Sequence, residues 1–146
     1  MSIFNQINVS ASALTAEKTR IDIITKNMAN ANTTRSTGGM PYRRQMAVFE
    51  ENKSTSFSEQ LSKYTNKIGG KGVKISKIVE DESPFKLVYE PGHPDADENG
   101  YVQKPNVDTV KEMVDLISAQ RSYDANITAM NASKSMLMKA LDIGRR

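Results

Sequence analysis

The sequence predicts a mainly α-helical chain with a small β region. Two long terminal helices pair as an antiparallel, coiled-coil-like hairpin, with a short β-rich segment between them. Two observations lead there. Apolar residues recur at alternating steps of four and three in both terminal segments, the spacing of a helical seam. Between those segments the pattern changes to the two-residue alternation of strands, punctuated by Gly and Pro.

Stepping from Ile3 reaches Ile7, Ser10, Leu14, Glu17, Ile21, Ile24, Met28 and Ala31, seven of the nine being apolar. A helix over 3–31 is roughly 43 Å long at 1.5 Å per residue. Asn30-Ala31-Asn32-Thr33-Thr34 should end it, because Asn tolerates a left-handed turn and Thr disfavours continuation. At the other end, Met113, Leu116, Gln120, Tyr123, Ile127, Met130, Lys134, Leu137 and Leu141 repeat the stepping, again with seven of nine apolar or aromatic. Pro105-Asn106-Val107-Asp108 offers a capping start for a helix over 107–143. Asp108, Glu112 and Asp115 near its start and Lys134, Lys139, Arg145 and Arg146 towards its end suit the helix dipole.

In the middle, Tyr42 to Phe49 reads as extended, and residues near 50–72 as a polar, flexible insertion ending in Gly69-Gly70-Lys71-Gly72. Gly72 to Val79 alternates as a half-buried strand, and Phe85 to Tyr89 is another, stopped by Pro91-Gly92-His93-Pro94. The expected division is an inner domain built from helices 1–34 and 106–146, with a small β-rich outer region over 35–105.

Composition narrows the chemistry. Of 146 residues 38% are apolar and 6% aromatic, with no Trp and a mean hydropathy of -0.54, a thin supply for a dense private core. There is no Cys and one His, His93, so disulfides, thiolate zinc sites, Cys nucleophiles and paired imidazoles are excluded. Net charge is +3, yet five lysines and no acid lie between Lys63 and Lys77, while seven acids and one lysine lie between Glu80 and Glu98. Without Arg, and with Tyr64 as its one aromatic, the lysine run reads as solvated surface rather than a nucleic-acid footprint. No apolar run approaches the roughly 20 residues of a membrane span. Met1-Ser2-Ile3-Phe4-Asn5-Gln6 lacks the basic and apolar regions of a cleaved signal, so any export is expected to proceed without one.

Three motifs imitate chemical sites. Asp95-Ala96-Asp97-Glu98-Asn99-Gly100 matches half of a calcium loop, but its twelfth position would be Asn106 instead of Glu, and Pro91 and Pro94 exclude the entering helix. It reads as an acidic turn that uses Asn-Gly for positive φ. His93 has no nucleophile elbow to serve and reads as a loop residue facing solvent. Gly69-Gly70-Lys71-Gly72 lacks phosphate-loop spacing. No catalytic residue, metal, cofactor or small-molecule substrate is expected.

The ends resemble a known family. Ile24-Thr25-Lys26-Asn27-Met28-Ala29-Asn30-Ala31-Asn32-Thr33 is similar to the N-terminal signature of bacterial flagellar axial proteins, the rod and hook subunits. Asn106-Val107-Asp108, Glu112 to Ile117, and Gln120-Arg121-Ser122-Tyr123-Asp124-Ala125-Asn126 resemble their C-terminal signature. Pro41-Tyr42-Arg43-Arg44, Leu87 to Pro94 with Pro91 and Gly92, and Asn99-Gly100-Tyr101-Val102 running to Pro105 are similar to the proximal-rod branch. The resemblance covers essentially the whole chain except about Lys53 to Lys71. It implies a structural subunit of the periplasm-crossing rod that assembles helically with copies of itself and other rod proteins. It further implies passage through the flagellar type III export apparatus, and neither an enzyme nor an integral membrane protein. The alternative from another class is a monomeric helical hairpin that binds proteins.

Overall fold

A computed structural model of the chain describes residues 3–36, 38–52 and 71–144, and the side chains of all of these but Ile3. The order is α1 (Ile3–Ala29), β1 (Gln45–Glu51), β2 (Val73–Glu80), β3 (Lys86–Tyr89), β4 (Tyr101–Lys104) and α2 (Thr109–Gly144). The chain is mainly helical with a small β region. The helices hold 27 and 36 residues, about 40 and 54 Å at 1.5 Å per residue.

Local chemistry sets the helix ends. At the end of α1, Asn30 Nδ2 donates to Lys26 O at 2.8 Å, and Thr33 Oγ1 donates to Asn30 Oδ1 at 3.3 Å. These polar side chains thus bind groups close to the point where the helix stops. At the start of α2, Asp108 Oδ1 accepts the amides of Val110 (3.0 Å) and Lys111 (3.3 Å), a complete N-cap.

The strands form two separate ribbons, β1 with β2 and β3 with β4. In the second, Lys86 pairs with Lys104, Leu87 with Gln103, Val88 with Val102 and Tyr89 with Tyr101, antiparallel. One face carries Val88 and the fully buried Val102; the other exposes Leu87, Tyr89 and Tyr101. The two tyrosine rings meet edge to face, 5.3 Å between centroids. Strand β4 is absent from the sequence expectations, since Tyr-Val-Gln-Lys offers only two adjacent apolar or aromatic residues, whereas the run holding β3 carries Phe85, Leu87, Val88 and Tyr89. The turn before it matches them: Gly100 has φ 79°, and Asp97 Oδ1 accepts the Asn99 and Tyr101 amides. His93 is half-buried in this connection, its Nδ1 accepting the Asp95 amide at 3.1 Å. The insertion expected near 50–72 lies outside the described residues from 53 to 70, and Glu50 and Glu51 complete β1.

The chain divides into two compact units. One holds α1 up to Thr19, β1 from Phe49, β2 up to Ser76, and α2 from Gln120. Within it Ser12 Oγ donates to Val9 O (2.7 Å) and accepts the Val73 amide (3.1 Å), fastening α1 to the start of β2. The other unit holds Arg20–Val48 and Lys77–Ala119. Among the described residues, the buried apolar set is Ala16, Ile23, Ile24, Val102, Val107 and Ala119, of which all but Ala16 lie in this second unit.

Candidate functional site

The best-built region of the second unit is polar. Asn27, in the last turns of α1, is 1% exposed, and Glu112, in the first turns of α2, is 0% exposed. Asn27 Nδ2 donates to Glu112 Oε2 at 3.0 Å, a contact between the end of one helix and the start of the other, as an antiparallel hairpin requires. The same amide treats Gln45 as a strand neighbour would: Nδ2 donates to Gln45 O (2.8 Å), and Oδ1 accepts Gln45 N (2.9 Å). Oδ1 also accepts the Tyr42 hydroxyl at 2.9 Å. Both donors and both acceptor sites of the amide are therefore filled, which is what burial of Asn demands.

Arg44 supplies the countercharge. Its Nε donates to Glu112 Oε1 at 2.6 Å, and its terminal nitrogens lie 3.7 Å from Asp81 and 3.6 Å from Asp115. One guanidinium thus faces three carboxylates in a planar fork, a geometry Lys cannot reproduce. Asn106 completes the clasp: Oδ1 accepts the Arg44 amide (2.9 Å), and Nδ2 donates to Asp81 O (3.0 Å) and Ser83 Oγ (3.1 Å). Arg43 lies 4.5 Å over the Phe85 ring and donates to Asp81 O at 3.1 Å. The Ser83 hydroxyl, then the Ser83 amide, hold the Asp81 carboxyl below its usual range. Burial, with Glu112 and Glu80 nearby, pushes the Tyr42 phenol up. This arrangement fastens four segments, the end of α1, residues 42–45, residues 81–83 and residues 106–115, through side chains whose buried donors and acceptors are engaged with one another.

The motif residues sort by position. Asn27, Tyr42 and Asn106 belong to the clasp, Asn30 and Thr33 to the α1 stop, and Asn32 to the exposed turn beyond it. Asn99, Gly100 and Tyr101 shape the hairpin turn, with Pro91 packed near Gly100 and Gly92 exposed. Pro105 is buried ahead of the Asp108 cap. Arg121 is exposed, and Asn126 donates to Ser122 O at 2.8 Å along α2. Arg44 lies inside a family motif with no role expected of it, and the sequence assigns Glu112 only to the helix dipole. The one signal that could have found Glu112 is a charge beside the expected seam position Met113.

Along the helices, Ile24 is buried, while Ile7, Leu14, Ile21, Met28, Leu116, Tyr123, Ile127, Met130 and Leu137 are half-buried. Met113 and Leu141 are 52% and 59% exposed in the single chain, and the Ile3 side chain lies outside the described residues. The most covered positions of α2 are Glu112, Ala119 and Ser133, with Asn126 half-buried between them, a seven-residue repeat displaced by one from Met113. Val110, Met113, Val114 and Ile117 instead form an exposed apolar stripe at helical spacing. Among the described residues no helix is long and apolar enough to cross a membrane, and no group of His, Cys, Asp or Glu could hold a metal.

Known families match both ends of the sequence. Residues 7–35 match the family described as Flagella basal body rod protein, and residues 98–143 match Flagellar basal body rod FlgEFG protein C-terminal. The chain is 56% identical to the flagellar basal-body rod protein FlgC of Bacillus subtilis, covering 99% of this chain and 100% of the relative. The chain belongs to the FlgC family of flagellar basal-body rod proteins. Identity to the FlgC of Borreliella burgdorferi is 45%, over 98% of each chain. To the FlgC of Salmonella typhimurium it is 42%, over 99% of this chain and 100% of that one. In this member of the FlgC family both matched ends contribute to the clasp, Asn27 from the first and Asn106 and Glu112 from the second.

Proposed function

We propose that this chain, a structural subunit of the flagellar basal-body rod, works by setting its two long helices against those of neighbouring copies and of other rod proteins. The helical tube so formed transmits motor torque across the periplasm. The role is mechanical rather than catalytic, and delivery through the flagellar type III export apparatus is part of the reading. The inner part is the helices of 1–34 and 106–146, and the outer part is 35–105.

The observation that carries this is the imbalance of apolar burial. Val110, Met113, Val114 and Ile117 are between 45% and 71% exposed on one side of α2, and Met136, Met138, Leu141 and Ile143 are between 52% and 77% exposed further along it. Exposed apolar surface on this scale marks a protein–protein contact surface, and two stretches of it spaced along one long helix suit repeated neighbours along that helix. Each such side chain contributes about 1.5–3 kcal/mol when covered, so burial deferred to assembly is a strong driving force. Within the subunit, Ile7, Leu14, Ile21, Ile24, Met28, Leu116, Tyr123, Ile127, Met130 and Leu137 supply the packing of its own helices. Met113 and Leu141 pack against neighbours.

Ile117→Asp tests the reading. The variant subunit should fold with an unchanged circular dichroism spectrum, because Ile117 faces water in the single chain. Cells carrying it should not swim, and their isolated basal bodies should lack the subunit. Normal incorporation and swimming would overturn the proposal.

A further inference from the structure

We infer that the Arg44–Glu112–Asn27 cluster sets the axial register of α1 against α2 and adds little net stability. Two observations on the second unit and on α2 carry this. The first concerns what fills the covered positions. At seven-residue spacing α2 presents Glu112, Ala119, Asn126 and Ser133, and the companion positions are Leu116, Tyr123, Met130 and Leu137. Beyond Glu112, the small or short polar side chains of the first set and the large apolar or aromatic ones of the second make successive heptads of α2 resemble one another. Apolar packing alone therefore discriminates weakly between the native pairing and one displaced by a heptad.

The second observation is that Glu112 breaks this degeneracy. It is the one charged residue at those covered positions, and it is fully buried with both oxygens engaged, Oε1 by Arg44 and Oε2 by Asn27. Any displaced register would leave a buried carboxylate and a guanidinium without each other, a heavy penalty that the apolar positions do not impose. Desolvating the pair offsets most of the attraction between its members, so it ranks pairings without adding much to the native one. The inference concerns the free subunit and stands apart from the assembly reading.

The test exploits the absence of Cys from the sequence. Thr25→Cys/Ser118→Cys places spin labels at two exposed positions of the second unit, one on each helix. In this background Glu112→Leu, which strands Arg44, is compared with Arg44→Met/Glu112→Leu. Asn27 is kept, since it still bonds Gln45 on both sides and Tyr42. The parent should give one narrow label distance, and Glu112→Leu should lower the urea midpoint. The paired replacement should restore the midpoint and broaden the distances, with a second population displaced by about 10 Å, one heptad of helix rise. A restored midpoint with a single unshifted distance would overturn the inference. So would a paired variant as destabilised as Glu112→Leu, because the cluster would then be a source of stability.

Discussion

Arg44 Nε donates to Glu112 Oε1 at 2.6 Å across 68 positions of sequence, and the acceptor belongs to a residue with no exposed surface. An ion pair this buried responds asymmetrically to substitution. Glu112→Ala leaves a guanidinium that is only 14% exposed facing Asp81 and Asp115 at 3.7 and 3.6 Å. A loss of about 3–5 kcal/mol in unfolding free energy is expected. Asp115→Ala removes a longer contact to a carboxylate that is one-third exposed, and should cost no more than about 1 kcal/mol. Urea unfolding of the two variants side by side checks the ratio.

Asn27 has no spare hydrogen-bonding capacity, so even an isosteric change is costly. Asn27→Asp removes the Nδ2 donor and sets a carboxylate towards Gln45 O and Glu112 Oε2, partners 2.8 and 3.0 Å from the present nitrogen. Losing two donations into buried acceptors costs about 2–4 kcal/mol, with like-charge repulsion added. The variant should unfold at a clearly lower urea concentration at pH 7 than at pH 4.5, where protonation of the new carboxyl relieves the repulsion. Equal losses at both values would contradict the geometry.

Features with local causes were legible in the sequence, and those made by distant residues were not. Helix existence, the C-terminal end of α1 and the cap of α2 were predictable because their causes are local: Asn30 and Thr33 bond groups within four residues, and Asp108 bonds the next turn. Strands β2 and β3 followed from their alternating or apolar runs, and β1 from the extended reading of Tyr42 to Phe49. Strand β4 did not, since its partner β3 lies beyond a turn-rich connection. The clasp was hidden for a related reason. An apolar seam is visible only where large apolar residues recur, and the covered positions of α2 are Glu112, Ala119 and Ser133. Nothing near Glu112 in sequence reveals that Arg44 and Asn27 will meet it.

Gly72 occupies a position that excludes side chains for two reasons. Its φ is 80°, and a Cβ there would collide with Ser12 Oγ, the group that accepts the Val73 amide. Gly72→Ala should therefore cost about 1–3 kcal/mol. Adding Ser12→Ala removes the colliding Oγ but also the acceptor of the Val73 amide, and it leaves the backbone strain, so it should recover little of the loss. Gly92→Ala, with open space around it and no positive φ, should fall within about 0.5 kcal/mol of the parent. Thermal or urea unfolding of the three variants tests this ordering.

Stability should fall towards both ends of the pH scale, for opposite reasons. The Ser83 hydroxyl and amide hold Asp81 below its usual range, the Lys111 and Val110 amides do so for Asp108, and the Lys104 ammonium does so for Glu90. In acid the unfolded chain therefore binds more protons than the folded one. These groups stabilise the fold above the ordinary carboxylate range, and the contribution is lost as pH falls through the depressed folded values. Tyr42 works at the other end, its phenol raised above 10.0 by burial and then by Glu112 and Glu80. Past that pH the unfolded chain releases the phenolic proton first, so folding weakens as pH rises. Urea midpoints should form a plateau between about pH 5 and 9 and decline below about pH 4 and above about pH 10. Asp108→Asn should shallow the acid limb, because the amide takes up no proton in acid, and Tyr42→Phe should flatten the alkaline limb while lowering the plateau, because Asn27 Oδ1 loses a donor. An acid limb unchanged by Asp108→Asn would show that the cap contributes nothing through its charge.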